Sequence, residues 1–353
     1  MKIRSVFVSA TLACVAGIMI TGCGNSFSGT DDSAEDTSAV VTEESDASDH
    51  DIAPQASVSG PLLELSGSPA DVIHVDEDSY YEAEKIFLFA AKGTVIRGDI
   101  ADNITRIMNE LESLYGLSYA YNEYASDSDW RDVYFNGAFQ DINTDLAKPS
   151  ILVIQDPCDG TVQCCLPNAV KLYDTDFAPE HTSFDAVFHE LAHLLRLKQS
   201  GYLGSVMEEG AALYAQDQLS RMEHFPDWSM IQYVDYGGYA SAYDDSAIIS
   251  DPEGEFRASM NVEGNGEQRD YQYGFRFVTF LREEYGDDII AEISTNARSR
   301  ALDSNGSDVD AIVEVIKEST SEDVFVRFAE WLPSGWDSYC ADYVEYIESF
   351  ANQ

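Results

Sequence analysis

Positively charged side chains are scarce in this sequence. Its 353 residues include 20 lysines and arginines against 64 aspartates and glutamates, which gives a formal net charge of −44 at pH 7. Such a surface repels phosphate backbones and anionic lipid headgroups. We therefore expect no nucleic-acid partner and no electrostatic docking to membranes, and we interpret the acidity as a solubility trait of an exported protein.

Long apolar runs are also lacking, with one exception near the N-terminus. Two basic residues precede an apolar run from Val6 to Ile20, which is the layout of an export signal and is too short for a comfortable membrane span. The run ends in Ile20-Thr21-Gly22-Cys23, which resembles the bacterial lipobox. The resemblance implies that residues 1–22 are removed and that acyl chains on Cys23 anchor the chain at the extracytoplasmic face of a membrane. A plain signal peptide with an incidental cysteine is the alternative.

Cysteines are few, and six occur in the whole chain. One lies in the signal and another is the predicted lipid attachment site, so four remain outside the cytoplasm, which favours disulfides. Their connectivity is open, although the first of them lies close enough to either of the next two to close a hairpin. A metal site built from cysteines is disfavoured, because two adjacent cysteines lack the C-x-x-C spacing that wraps one ion. The four residues are Cys158, Cys164, Cys165 and Cys340.

Lysine, arginine and large apolar residues are nearly absent between the lipobox and about residue 60. Such a segment cannot bury enough surface to offset the conformational entropy lost on ordering. We therefore predict three parts: a lipoprotein signal peptide over 1–22, a disordered acidic linker over 23–60 and one folded domain over 61–353.

Three apolar segments in the first half of the folded domain have the length and composition of strands. They comprise Ile86–Ala91, Ser150–Gln155 and Ala169–Tyr173. A short cysteine-bearing turn separates the second strand from the third, so we expect these two to form an antiparallel hairpin. The sheet should be small, and mixed or antiparallel.

Apolar residues at helical intervals dominate the rest of the domain. The first predicted helix covers Ile100–Tyr115 and stops at Gly116. After Pro179 the pattern is helical again, whereas a segment rich in Gly, Asp, Ser and Tyr predicts a loop near the cleft. The fold class is therefore α+β, with a mostly helical C-terminal half. The later predicted segments are a helix capped by Ser183, helices over Asp308–Glu318 and Ser321–Leu332, and the loop over Asp235–Gln268.

The helix after Ser183 contains His189-Glu190-Leu191-Ala192-His193. Residues four apart project side by side from a helix, so His189 and His193 can share one tetrahedral Zn²⁺. Glu190 stands where a general base could take a proton from a zinc-bound water. The alternative is a helix with two histidines and no metal, because so short a motif also arises by chance.

A catalytic zinc needs a third protein ligand, and a second predicted helix over Ser205–Tyr214 offers two carboxylates. Its Glu209-Gly210-Ala211-Ala212-Leu213-Tyr214 segment resembles the Glu-Gly-x-Ala-x-Tyr element of the gluzincin peptidases, the thermolysin-like and M1-aminopeptidase-like zinc enzymes. The resemblance implies a zincin-like fold and makes Glu209 the third ligand. Glu208 is the rival, and only one of the two can face the ion, because neighbours on a helix point about 100° apart. No metzincin-type third histidine follows His193.

A third segment, Tyr271-Gln272-Tyr273-Gly274-Phe275, resembles the Tyr-x-x-Gly-Phe segment of M1-like enzymes. The resemblance implies that the Tyr271 hydroxyl donates a hydrogen bond to the oxyanion of the tetrahedral intermediate. Tyr273 is the fallback, and both tyrosines could instead belong to the core. Asp185 and Asp217 are candidates to accept a hydrogen bond from a ligand histidine, although each could be a surface charge.

Taken together, these segments predict a zinc-dependent peptidase that hydrolyses peptide bonds in a peptide or protein substrate. No amine-binding motif typical of the M1 aminopeptidases is present, which favours an endopeptidase or an unassigned peptidase over an aminopeptidase. Two further classes stay open: a catalytically inactive surface lipoprotein with a zincin fold that binds or adheres, and an assembly protein of the cell envelope. The first predicts bound zinc without cleavage, and the second predicts no stoichiometric metal.

Overall fold

A computed structural model describes most of the predicted folded domain. The predicted signal, Cys23 and the acidic linker lie outside the described residues, so those predictions remain untested. Within the described part, no helix combines the length and the apolarity needed to cross a bilayer. The described residues are 62–119, 133–139, 148–157, 164–166, 168–177, 185–200, 203–224, 230, 234, 245–260, 268–300 and 308–351.

The described chain is α+β, with small sheets first and a mostly helical C-terminal half. A short 3₁₀ turn over Asp174–Phe177 connects the two parts. The strands are β1 Val72–His74, β2 Ser79–Glu82, β3 Phe87–Ala90, β4 Val95–Arg97, β5 Ser150–Ile154, β6 Cys164–Leu166 and β7 Ala169–Tyr173. The helices are α1 Ile100–Tyr115, α2 Asp185–Ser200, α3 Ser205–Met222, α4 Asp245–Ser250, α5 Pro252–Met260, α6 Gln268–Tyr285, α7 Ile289–Ser299, α8 Val309–Ser319 and α9 Val324–Ala351.

The main sheet has five strands in the order β2-β3-β5-β7-β6, and β1 pairs with β4 in a small separate sheet. The three predicted strands are confirmed within about one residue at each end. The predicted hairpin is wrong, because β5 and β7 run parallel. The connection between them contains β6, which lies beyond β7 at the sheet edge and pairs with it antiparallel. The sheet is therefore mixed, and an extra strand in the connection reverses the expected direction.

The two faces of this sheet pack against different partners, because successive side chains of a strand point to opposite faces. On one face, residues such as Leu88, Val153 and Val170 join the large core formed with the helices. On the other face, Phe89 and its neighbours contact a small aromatic cluster that includes Phe139. The helices that carry the predicted metal ligands belong to the large core.

Helix α1 matches the sequence prediction at both ends. Its apolar stripe is buried against the core, and Gly116 follows it with a φ of 63°, the left-handed conformation that ends many helices. Glycine adopts this backbone geometry without the Cβ clash of other residues. Periodicity and a stop residue were sufficient here because both signals are local.

Two predictions for the C-terminal half need correction. The predicted loop over Asp235–Gln268 contains α4 and α5 within its described part. The sequence pattern predicts that the last helix ends at Leu332, yet α9 continues to Ala351 with Pro333 inside it. Proline usually ends or kinks a helix, but buried aromatic residues beyond it, such as Trp336 and Tyr343, pack into the core and favour continuation. Tertiary packing therefore outweighs the local signal.

Candidate metal centre

Helix α2 holds two predicted ligands on a framework of buried apolar residues. Phe188, Leu191 and Leu195 are fully buried in the core, and α2 packs against β6, β7 and α3. His189 and His193 are almost buried, with 6% and 8% of their surface exposed. The two histidines lie on the same side of the helix because they are four residues apart, and their ring centroids are separated by 4.8 Å.

Helix α3 brings Glu209 to the same point. The Oε2 atom of Glu209 lies 3.1 Å from Nε2 of His189 and 3.4 Å from Nε2 of His193. The two histidine Nε2 atoms are themselves 3.1 Å apart. Within the described part of the chain, this group of three is where His, Cys, Asp or Glu side chains converge closely enough to hold a metal ion.

The dimensions of this donor triangle fit a tetrahedral zinc site. Ligands about 2.05 Å from a tetrahedral zinc lie roughly 3.3 Å from one another. The three observed separations, 3.1, 3.1 and 3.4 Å, surround that value. Two imidazole nitrogens and one carboxylate oxygen are also donors that zinc prefers. The side chains therefore suit an ion with three protein ligands and a fourth position left for another molecule.

The neighbouring carboxylate, Glu208, has a different environment. It is 2% exposed, and its Oε1 accepts a hydrogen bond of 3.1 Å from the backbone N–H of Leu203. The two carboxylates thus diverge as adjacent helix positions must. Glu209 meets the histidines, whereas Glu208 points back towards the residues that precede α3.

Close contact between opposite charges shifts the pKa values of His193 and Glu209. Burial acts to lower the pKa of His193, but the Glu209 carboxylate beside it raises that pKa to about 9. Burial acts to raise the pKa of Glu209, but His193 and His189 hold it well below its usual range. A negative carboxylate therefore lies against a histidine that readily takes a positive charge, and a metal cation can replace the proton between them.

Glu190 follows His189 on α2 and is partly buried. Its Oε2 atom has no hydrogen-bond partner among the described residues. Burial raises the pKa of Glu190, while the nearby His189 and His193 act to lower it. An unpaired buried carboxylate oxygen is costly to maintain. Its position beside the donor triangle is one in which a base could act on a molecule bound there.

Two tyrosines of α6 were proposed from the sequence, and the structure separates them. The Tyr271 ring is 2% exposed and stacks beside His189, with ring centroids 6.1 Å apart and an angle of 25° between the planes. The Tyr273 hydroxyl instead donates a hydrogen bond of 2.7 Å to the carbonyl of Pro252, and its ring packs against Phe256. Tyr271 therefore borders the candidate centre, and Tyr273 belongs to the helical core.

One of the two predicted partners of the candidate ligand histidines is placed differently from expectation. Asp217 is fully buried and is not a surface charge. Its carboxylate accepts hydrogen bonds from Arg221 and Gln218 of the same helix and from Tyr339 of α9, and this last bond joins α3 to α9. Asp217 is thus a structural residue, and the proposal that it orients a ligand histidine is wrong. The side chain of Asp185 lies outside the described residues.

The disulfide prediction remains open. Cys158 and the side chains of Cys164 and Cys165 lie outside the described residues. Cys340 is 5% exposed and belongs to the core around α9. The described part of the chain therefore assigns no pairing.

Comparisons with known proteins give little independent support. No protein-family model and no curated protein sequence matches the chain. Among solved structures, a two-domain M1 zinc metallopeptidase bound to L-tryptophan is similar, with 10% sequence identity and a TM-score of 0.37. The similarity covers 72% of this chain and 50% of that one, so the chain spans about half the length of that peptidase.

Proposed function

We propose that the chain is a zinc-dependent peptidase that hydrolyses peptide bonds in peptides or proteins. The observation that supports this most directly is the donor triangle of His189, His193 and Glu209, whose edges of 3.1 to 3.4 Å match a tetrahedral zinc site. Three protein ligands leave one position for a water or a substrate, which is the arrangement of catalytic rather than structural zinc.

Zinc supplies Lewis acidity at such a site and lowers the pKa of a coordinated water to about 7. The chain's own contribution begins with Glu190, which accepts a proton from the attacking water and returns it to the leaving amine. Its raised pKa suits a group that must both take and release a proton. Its Oε2 has no hydrogen-bond partner among the described residues, so it is available for this exchange.

Tyr271 supplies the second catalytic group in this proposal. Its hydroxyl donates a hydrogen bond to the carbonyl oxygen as negative charge develops there, an interaction that is strongest in the transition state. The stacked position of its ring beside His189 supports this role. The buried surroundings restrict the ring to few orientations, which lowers the entropic cost of placing the hydroxyl.

The setting of the catalytic domain is also part of the proposal. Residues 1–22 act as a lipoprotein signal, Cys23 carries the lipid, and 23–60 form an acidic linker that holds the domain over 61–353 away from the membrane. This arrangement places the enzyme at the cell surface, where a peptide or protein substrate reaches it from outside. The strongly negative net charge supports the exclusion of nucleic acid as a partner.

Metal analysis of the purified chain tests the proposal. We expect about one zinc per chain for the wild type, and loss of that zinc in His193→Ala, because a buried ligand is removed. His74→Ala provides the control, since it removes an exposed histidine of β1. Equal zinc content in the wild type and His193→Ala would contradict the site. Bound zinc without cleavage across a broad peptide library, with Glu190→Gln behaving like the wild type, would favour a binding protein instead.

A further inference from the structure

The two helices that carry the donor triangle are connected through a short segment that ends at Leu203 and Gly204. Helix α2 ends at Ser200, and α3 begins at Ser205. Leu203 is fully buried, and its backbone N–H donates to the carboxylate of Glu208, which lies in the first turn of α3. This hydrogen bond joins the connecting segment to the helix that carries Glu209.

The residue before α3 has no side chain that could hold the start of this helix, so the contact with the connecting segment depends on a residue within α3. Serine, threonine, asparagine or aspartate at that position would normally accept hydrogen bonds from the first turn. Gly204 occupies it instead, with a φ of +81° and no side-chain cap. A Cβ on Gly204 would lie 1.8 Å from Cε of Met260 in α5, and the positive φ itself disfavours any residue with a Cβ.

Glu208 is also buried more deeply than a helix-surface glutamate. Only 2% of it is exposed, and taking a carboxylate out of water is costly unless hydrogen bonds compensate. An apolar residue would avoid that cost but would leave the buried N–H of Leu203 without this acceptor. The buried carboxylate of Glu208 lies at the junction of the two helices that carry the candidate ligands, and it is next to Glu209 in the chain.

We propose that Glu208 is a positioning residue for the metal ligand Glu209. By accepting the hydrogen bond from the Leu203 N–H, it fixes the connecting segment against the first turn of α3 and so fixes the angle between α3 and α2. Glu209, the next residue, then presents its Oε2 to both histidines of α2. This inference rests on the proposed zinc site and concerns its geometry, irrespective of the substrate.

Two conservative variants of the full chain distinguish the effect of side-chain length at position 208 from the effect of its negative charge. Glu208→Gln keeps an oxygen that can accept the Leu203 N–H but removes the charge. Glu208→Asp keeps the charge but is one methylene too short to span the same distance. If the hydrogen bond to Leu203 positions Glu209, the zinc affinity of Glu208→Gln should stay close to that of the wild type. Glu208→Asp should bind zinc about 10- to 100-fold more weakly, which is the usual effect of losing a supporting hydrogen bond at a metal site.

The readouts are zinc affinity, measured by competition with a chromophoric chelator, and the visible absorption of the Co²⁺-substituted chain. The absorption reports ligand geometry, which a merely structural role would leave unchanged. Asp308→Ala is the matched control, because it removes the side-chain cap of α8, where Asp308 accepts from the N–H of Ala311 at 2.9 Å. It should lower stability without changing zinc affinity or the Co²⁺ spectrum.

The outcomes distinguish this inference from the proposed function. A wild-type chain that binds neither zinc nor Co²⁺ would refute the zinc site and this inference with it. A wild-type chain that binds zinc while Glu208→Asp binds it equally well would refute the positioning role alone. Weakened binding in Glu208→Gln with normal binding in Glu208→Asp would assign the effect to charge and overturn the role of the hydrogen bond.

Discussion

Gly210 of α3 and Gly274 of α6 meet backbone to backbone. A Cβ on Gly210 would lie 2.3 Å from the carbonyl carbon and oxygen of Gly274, and a Cβ on Gly274 would lie 2.1 Å from the carbonyl oxygen of Val206. No side chain therefore fits between the two helices at this crossing. Glu209 precedes one glycine directly, and Tyr271 lies about one turn before the other, so the contact sets how closely Tyr271 approaches the donor triangle.

Replacing Gly274 by alanine should separate α3 from α6. The new methyl group meets backbone atoms that cannot rotate away, so we expect a loss of about 1 to 3 kcal/mol in the free energy of unfolding. We also expect weaker zinc binding, because Glu209 moves with α3. Denaturant unfolding and chelator competition measure the two effects. Gly254→Ala is the control, since the three atoms nearest to its Cβ belong to the exposed side chain of Asp251 and not to backbone. If Gly274→Ala is as stable as the wild type and binds zinc with normal affinity, the contact between the two glycines does not control the metal centre.

Glu190→Gln tests the general base. The amide cannot take a proton from water, so kcat should fall by about 10²- to 10⁴-fold. Zinc content should stay near that of the wild type, because the three donor atoms are untouched. Peptide hydrolysis and metal analysis on the same preparation provide the measurement. Full activity in this variant would remove Glu190 from the mechanism.

Tyr271→Phe tests the oxyanion donor, and Tyr273→Phe is its matched control. Loss of a single donor to the oxyanion should lower kcat by about 10²- to 10³-fold with little change in KM. The Tyr273 hydroxyl bonds to the Pro252 carbonyl in the core, so its loss should cost about 1 kcal/mol of stability and leave kcat unchanged. If the two variants have the same kcat, Tyr271 is a packing residue.

Zinc binding should release protons, because the metal-free His193 has a raised pKa. Burial acts to lower that pKa, and Glu209 raises it to about 9, so the ring is protonated at pH 7, whereas zinc binds only the neutral ring. Zinc affinity should therefore fall about tenfold for each unit by which the pH drops from 9 towards 7.

Calorimetry in buffers of different ionisation enthalpy measures the released protons. At pH 7 we expect about one proton from His193, against roughly a quarter of a proton from a histidine with the ordinary pKa of about 6.5. A release near the smaller value, together with a flat affinity profile above pH 7, would show that Glu209 does not hold the proton on His193.

Asp217→Asn should destabilise the chain without disturbing the metal centre. Arg221 donates from Nε to both oxygens of Asp217, at 3.0 and 2.9 Å, and is partly buried among tyrosine rings of α9. Removing the charge leaves this cation uncompensated, which should cost about 2 to 3 kcal/mol, below the value for a fully buried pair because Arg221 is partly exposed. Asp310→Asn, which breaks an exposed pair with Arg257, should cost less than about 1 kcal/mol. Reduced zinc affinity in folded Asp217→Asn would return this residue to the metal centre.

The sequence by itself determined the elements whose signals are local. The stripe of α1 and the stop at Gly116 fixed that helix, and the four-residue spacing of His189 and His193 placed both on one face of α2. These features depend on neighbours within one or two turns, so periodicity and residue type are sufficient. The choice of Glu209 over Glu208 as a ligand came from a family resemblance. Their adjacent positions show only that the two side chains point in different directions, and not which of them faces the histidines.

Only the tertiary structure decided how distant segments meet. It made β5 and β7 parallel by placing β6 outside them, and it extended α9 through Pro333. It also enclosed Asp217 between α3 and α9 and brought Gly210 against Gly274. Each of these outcomes depends on contacts between residues far apart in the chain, whose free energy of packing exceeds the local preferences that a single sequence displays.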